Sequence, residues 1–113
     1  MKVTTKKISD TSVELKVVLD ANDLKEAEKK AVERLIKDVK VEGFRKGKAP
    51  LDIAKNHINP NDLSSVALDI AVRTSVPKAF DESETSPLMI PNVEVMKFVP
   101  GETVEYTAKA DIL

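Results

Sequence analysis

Along this chain the spacing of hydrophobic positions changes twice. Val13, Leu15, Val17 and Leu19 alternate with Glu14, Lys16, Val18 and Asp20, the period of two that marks a half-buried strand. Residues 2–8 read as a polar strand before it, and the turn-forming run Ser9-Asp10-Thr11-Ser12 between them predicts a hairpin. From Leu24 the period lengthens. Leu24, Ala27, Ala31, Leu35 and Val39 recur every third or fourth residue, flanked by Val32 and Ile36, while Lys25, Glu26, Lys29, Lys30, Glu33, Arg34 and Lys37 fall mostly on the other face. This predicts an amphipathic helix of about four to five turns. Asp23 and Glu26 are expected to cap its start, and Gly43 to stop it, because Gly enters a left-handed cap without a Cβ clash.

A loop over residues 43–50 comes next, then a short helix from Leu51 to His57 with Pro50 at its first turn. Asn59-Pro60-Asn61-Asp62 breaks the chain and caps a longer helix with Leu63, Val66, Ala67, Ile70 and Ala71 on one face. Pro77 predicts a kink or an end near Ser75 or Val76. Residues 81–91 read as a loop. The period of two then returns: Val93, Val95 and Lys97 oppose Glu94, Met96 and Phe98, and Val104, Tyr106, Ala108, Ala110 and Ile112 alternate with polar neighbours. Pro100-Gly101 marks the turn between these strands. The expected order is β-β-α-α-α-β-β: an α+β fold in which a four-stranded antiparallel sheet carries helices on one face. One domain over residues 1–113 suits this length.

Composition narrows the chemistry. There is no cysteine, which removes disulfides, thiolate metal sites and cysteine nucleophiles. With no Trp, one Tyr and three Phe, the core must be mostly Val, Ile, Leu and Ala. The start Met1-Lys2-Val3-Thr4-Thr5 has no apolar signal region, and no stretch approaches the roughly 20 apolar residues of a membrane span. A cytoplasmic protein is expected. His57 has no cysteine, second histidine or acidic cluster with which to hold a metal; Asp81, Glu82 and Glu84 read as a solvated loop; Ser64, Ser65, Ser75, Ser83 and Ser86 lack a His-Asp relay. No catalytic residue, metal site or cofactor is expected.

Charge is uneven although the net value is −1. Lys and Arg exceed Asp and Glu over residues 1–57, most strongly from Lys25 to Lys48, and the reverse holds over residues 58–113. The basic stretch ends in Gly43-Phe44-Arg45-Lys46-Gly47-Lys48-Ala49-Pro50, where two glycines and a proline shape the backbone and three cations flank a Phe. Aromatic and Arg side chains dominate binding hot spots, and Arg45 can fork onto a carboxylate or phosphate while Lys46 and Lys48 act as point charges. A phosphate loop is excluded: the glycine spacing is short, Ala49 stands where a hydroxyl is needed, and a helix precedes the loop instead of a strand. An RNA-binding loop remains open on these residues, though the loop lacks a second aromatic and the chain lacks the extended basic sheet usual in such modules.

Gly-Phe-Arg-Lys-Gly-Lys-x-Pro after an amphipathic helix resembles the signature of trigger factor, the ribosome-associated chaperone family of bacteria. The resemblance covers the whole chain, from the opening hairpin to the closing strands. It implies that the chain is the family's ribosome-binding domain, with the loop as docking tip on the large ribosomal subunit beside the exit tunnel, where ribosomal protein and rRNA are the partners. Nascent, unfolded polypeptides would be shielded there, assisted in folding and, in the family, in export. Carried over, Phe44, Arg45 and Lys46 would be ribosome contacts, Gly43, Gly47 and Pro50 would shape the loop, and Lys48 would add charge. Two departures stand out: Ile58-Asn59 replaces a Tyr-Gly pair, and Pro77 interrupts the second long helix. Whole members are several times longer and carry a prolyl isomerase domain and a helical chaperone domain. The chain is thus expected to be an excised domain without an isomerase site. Cut free, it could expose sheet surface or strand edges and form a homodimer.

Overall fold

The computed structural model describes residues 1–112. Strands β1 (Lys2–Ser9) and β2 (Ser12–Leu19) form the opening hairpin, and β3 (Asn92–Val99) and β4 (Thr103–Asp111) the closing one. Helices α1 (Ala21–Leu35), α2 (Leu51–Lys55) and α3 (Pro60–Glu82) lie between them in the chain, with a 3-10 turn at Ile36–Asp38. The sheet order is β1-β2-β4-β3, antiparallel throughout, so the first strand of neither hairpin is central. This is the expected α+β fold.

Register makes the core. β2 and β4 pair so that Val13 faces Ala110, Leu15 faces Ala108, Val17 faces Tyr106 and Leu19 faces Val104. All eight are buried, and Tyr106, Leu15, Val17 and Val104 are the largest fully buried side chains. Their neighbours in the alternation point to the other face, where Glu14 and Lys109 pair at 3.6 Å. That face is polar, because one residue of phase separates its side chains from the core set. The C-terminal half of α3 covers the apolar face through Ala79 and Phe80, and the Ser75 hydroxyl meets the Tyr106 hydroxyl at 2.6 Å. Leu24 and Ala27 of α1 close the same core.

The structure corrects the expected helix boundaries. Asp20, not Asp23 with Glu26, caps α1: its carboxylate accepts the Asp23 N–H, and the Asp23 carboxylate accepts the Asp20 N–H, each at 3.0 Å. The helix ends at Leu35 instead of continuing to Val39 and Gly43, since Val39 is extended at φ −82 and ψ 127. The short helix stops at Lys55, before His57. Pro77 neither ends nor divides α3, which runs to Glu82, so the loop begins two residues later than expected. Pro77 and Arg73 are both exposed, so water can take the Arg73 carbonyl that the proline leaves unpaired. Buried Ala71, Ser75, Ala79 and Phe80 hold the turns on either side. In β3 the pairing shifts between Val95 and Lys97. This bulge places Phe98, not Lys97, opposite buried Val104.

The molecule is long, 60 × 24 × 19 Å. The N-terminal half of α3 runs beside α1, where Ala27 and Ala31 of one helix and Ala67 and Ala71 of the other are all buried. These small residues allow the two helices to approach closely and form a narrow arm.

Candidate functional site

The arm ends in the segment between the 3-10 turn and α2. Two consecutive β-turns build it. The Phe44 N–H donates to the Val41 carbonyl at 3.0 Å, and the Lys48 N–H donates to the Arg45 carbonyl at 2.9 Å. Gly43 (φ +87) and Gly47 (φ +76) each occupy the third position of a turn, and the residues before them keep negative φ. That is the type II pattern, which demands glycine there. The four-residue spacing of the glycines in the motif is thus the spacing of two turns placed end to end.

The glycines do different work. A Cβ at Gly43 would meet nothing within 4 Å, so only its backbone angle requires glycine. A Cβ at Gly47 would lie 2.7 Å from the Lys37 carbonyl oxygen, and the Gly47 N–H donates to the Val39 carbonyl at 3.0 Å. Gly47 therefore seats the second turn against the end of the arm. Pro50 starts α2, and its carbonyl accepts the N–H groups of Ile53 and Ala54 at 3.0 and 2.9 Å.

Phe44 and Arg45 fall at the junction of the turns. Phe44 is half-buried, so the ring is neither fully displayed nor sealed in the interior. Arg45, Lys46 and Lys48 are exposed. Lys46 approaches Asp38 at 3.9 Å, too long to neutralise it strongly in water, and Arg45 and Lys48 form no ion pair among the described residues. The tip thus offers three solvated cations around one partly accessible ring.

Sequence reasoning missed four residues at the tip. Val41 is buried and anchors the loop from within. Lys40 reaches back to the carbonyls of Val41 and Phe44. Leu51 and Ile53 on α2 are exposed at 51% and 39%, which adds apolar surface after the motif. The alternation Val39-Lys40-Val41 is the available signal, but Val39 also continues the helical spacing of Leu35, which masks it. His57 is exposed, and no group of three potential metal ligands occurs among the described residues. No described helix is long and apolar enough to cross a membrane.

A sheet-based body that holds out a two-helix arm with a cationic, double-turn tip defines the class of this protein as an α+β fold with an extended helical arm. The family model described as bacterial trigger factor protein matches residues 1–113, and the chain belongs to that family. It is 34% identical over 113 residues to the trigger factor of Clostridium tetani, which covers all of this chain and 26% of that protein. The trigger factor of Natranaerobius thermophilus is 30% identical over 112 residues, 99% of this chain and 25% of its own length. The chain therefore spans about a quarter of the length of these relatives. Among solved structures, a trigger factor structure from Thermotoga maritima superposes with a TM-score of 0.59 at 26% identity, covering 88% of this chain and 89% of that one. A trigger factor chaperone studied for promiscuous substrate recognition gives a TM-score of 0.71 at 24% identity, over 99% of this chain and 26% of that one, a likeness of fold.

Proposed function

We propose that residues 1–113 form one domain that docks a nascent-chain chaperone on the large ribosomal subunit beside the exit tunnel, in the cytoplasm. The observation that carries this reading is the tip itself: two type II turns that leave Arg45 and Lys48 without ion-pair partners among the described residues and Phe44 partly accessible. Its mechanism is contact, not catalysis. Phe44 enters a shallow apolar site, Arg45 forks onto an anionic group, and Lys46 and Lys48 meet further negative charge on ribosomal protein or rRNA. Gly43, Gly47 and Pro50 keep the loop in shape. Polypeptides leaving the tunnel are then held close to the chaperone, which shields them and assists their folding and export.

Ribosome pelleting with the triple variant Phe44→Ala, Arg45→Ala, Lys46→Ala tests this directly. Co-sedimentation should be lost while the fold persists, and wild-type binding should weaken as salt rises. Unchanged pelleting of the triple variant rejects the reading. Equal affinity for naked RNA and for intact ribosomes would replace it with a general RNA-binding module.

A further inference from the structure

Lys40 lies outside the Gly43–Pro50 motif, yet among the described residues it supplies both side-chain hydrogen bonds made to the tip backbone. Its ammonium donates to the Phe44 carbonyl and reaches the Val41 carbonyl at 3.4 Å. The placement is informative. The Val41 carbonyl already closes the first turn by accepting the Phe44 N–H. The Phe44 carbonyl belongs to the peptide that joins the two turns, and no backbone N–H outside regular helix and strand pairing donates to it among the described residues. Turn geometry alone leaves that acceptor open, so the Lys40 ammonium is the one group among the described residues that ties the two ends of the first turn, the Val41 and Phe44 carbonyls, to each other.

We propose that Lys40 is a positioning residue of the docking tip: its ammonium bridges the Val41 and Phe44 carbonyls and so holds closed the first turn, from whose end the ring and the guanidinium are presented. This rests on the docking reading above for its consequence, but not for its geometry. The charge of Lys40 is spent on two carbonyls, whereas Arg45 and Lys48 keep theirs for a partner. A cation that positions and a cation that touches the partner differ in a measurable way. Removing a contact lowers affinity and also flattens its dependence on salt, because fewer ions are exchanged on binding. Removing a positioning group lowers affinity at an unchanged salt slope.

The 113-residue chain carrying Lys40→Met, Lys40→Arg or Lys46→Ala should be titrated against ribosomes over a series of salt concentrations. Exchange of the Phe44 amide should be followed in the free protein. Lys40→Met keeps the stem and loses the donor, and should bind about tenfold more weakly with the wild-type salt slope, as expected for loss of one charge-assisted hydrogen bond. Its Phe44 amide should exchange faster. Lys40→Arg should restore both properties, and Lys46→Ala should flatten the slope. Wild-type affinity in Lys40→Met overturns the proposal, and so does a flattened slope, which would make Lys40 a direct contact. If the triple-alanine variant still pellets with ribosomes, the docking reading fails, and Phe44 amide exchange alone decides whether Lys40 holds the turn.

Discussion

The two ends of the molecule are built from different material. At the sheet end, Leu15, Val17, Val104 and Tyr106 are fully buried, and two central strands are paired along their whole length. At the arm end, the buried hydrophobic residues are Ala31, Val32, Val41, Ala54 and Ala67, and the loop is held by turn hydrogen bonds and a lysine. Burying a large aliphatic or aromatic side chain stabilises by about 1.5–3 kcal/mol, and an alanine offers far less apolar surface. The sheet end therefore supplies most of the folding energy, and the arm borrows it through α3, which belongs to both. Presenting a loop at a distance needs a thin support, and a thin support cannot carry a large core. The difference also predicts where the chain opens first: regions with few buried apolar contacts open locally at lower free energy than the core.

The largest expected effect lies at the sheet end. Leu15→Ala should lower global stability by about 2–5 kcal/mol, read from urea unfolding, because a fully buried leucine leaves a cavity. Ribosome affinity of the molecules that remain folded should be unchanged. If binding fell in step with stability, the two ends would not be separable in this way. At the tip, Gly47→Ala should cost about 1–3 kcal/mol locally, since positive φ and a 2.7 Å approach to the Lys37 carbonyl add together. Ribosome pelleting should fall sharply while the far-UV spectrum persists. Gly43→Ala, strained only in φ with open space around it, should do less, about 1–2 kcal/mol. Equal effects would show that the close approach does not matter.

The smallest effect belongs to the joint between sheet and arm. The terminal ammonium of Met1 lies 3.0 Å from the Asp23 carboxylate inside the capping box. The hydrogen bond to Asp23 raises the Met1 ammonium above its ordinary value, against burial, which pulls the other way. Burial pushes the Asp23 carboxyl up, but the Asp20 N–H and the Met1 ammonium outweigh it and hold the group below its ordinary value. The carboxylate's contribution is therefore present above its unfolded pKa, about 4, and is lost as pH falls through the lowered folded value. The ammonium's contribution is present below about 8 and is lost as pH rises through the raised folded value. The thermal midpoint should be flat between these limits and decline on both sides. Asp23→Asn should shrink both declines; identical profiles for the two proteins would remove this joint from the account.

Much of the fold could be read from the residues. Period two located β2 and β4 because each has one buried and one wet face, and the same alternation named Leu15, Val17, Val104 and Tyr106 as core. The turn residues Asn59-Pro60 and Pro100-Gly101 marked real boundaries because their backbone preferences are local. The errors came where local signals compete with packing. Leu35, Ile36 and Val39 continue the helical spacing, but the chain leaves the helix after Leu35. Pro77 reads as a breaker, yet burial on both sides carries α3 through it. A bulge in β3 exchanged Lys97 for Phe98 on the inner face, and alternation alone carries no sign of an inserted residue.

The loop shows the same division. By itself, the sequence determined that the loop holds one aromatic, Phe44, and three cations, Arg45, Lys46 and Lys48, and that two glycines four apart must bend the backbone between them. Glycine's tolerance of positive φ and the charge of Arg and Lys are intrinsic to the residue, so no neighbour is needed to infer them. Only the tertiary structure decided that the bends are two joined turns, that Gly47 alone is pressed against the Lys37 backbone, and that Lys40 takes the Phe44 carbonyl. Those are distances between groups, and they exist only once α1, the 3-10 turn and α2 have been packed into one arm.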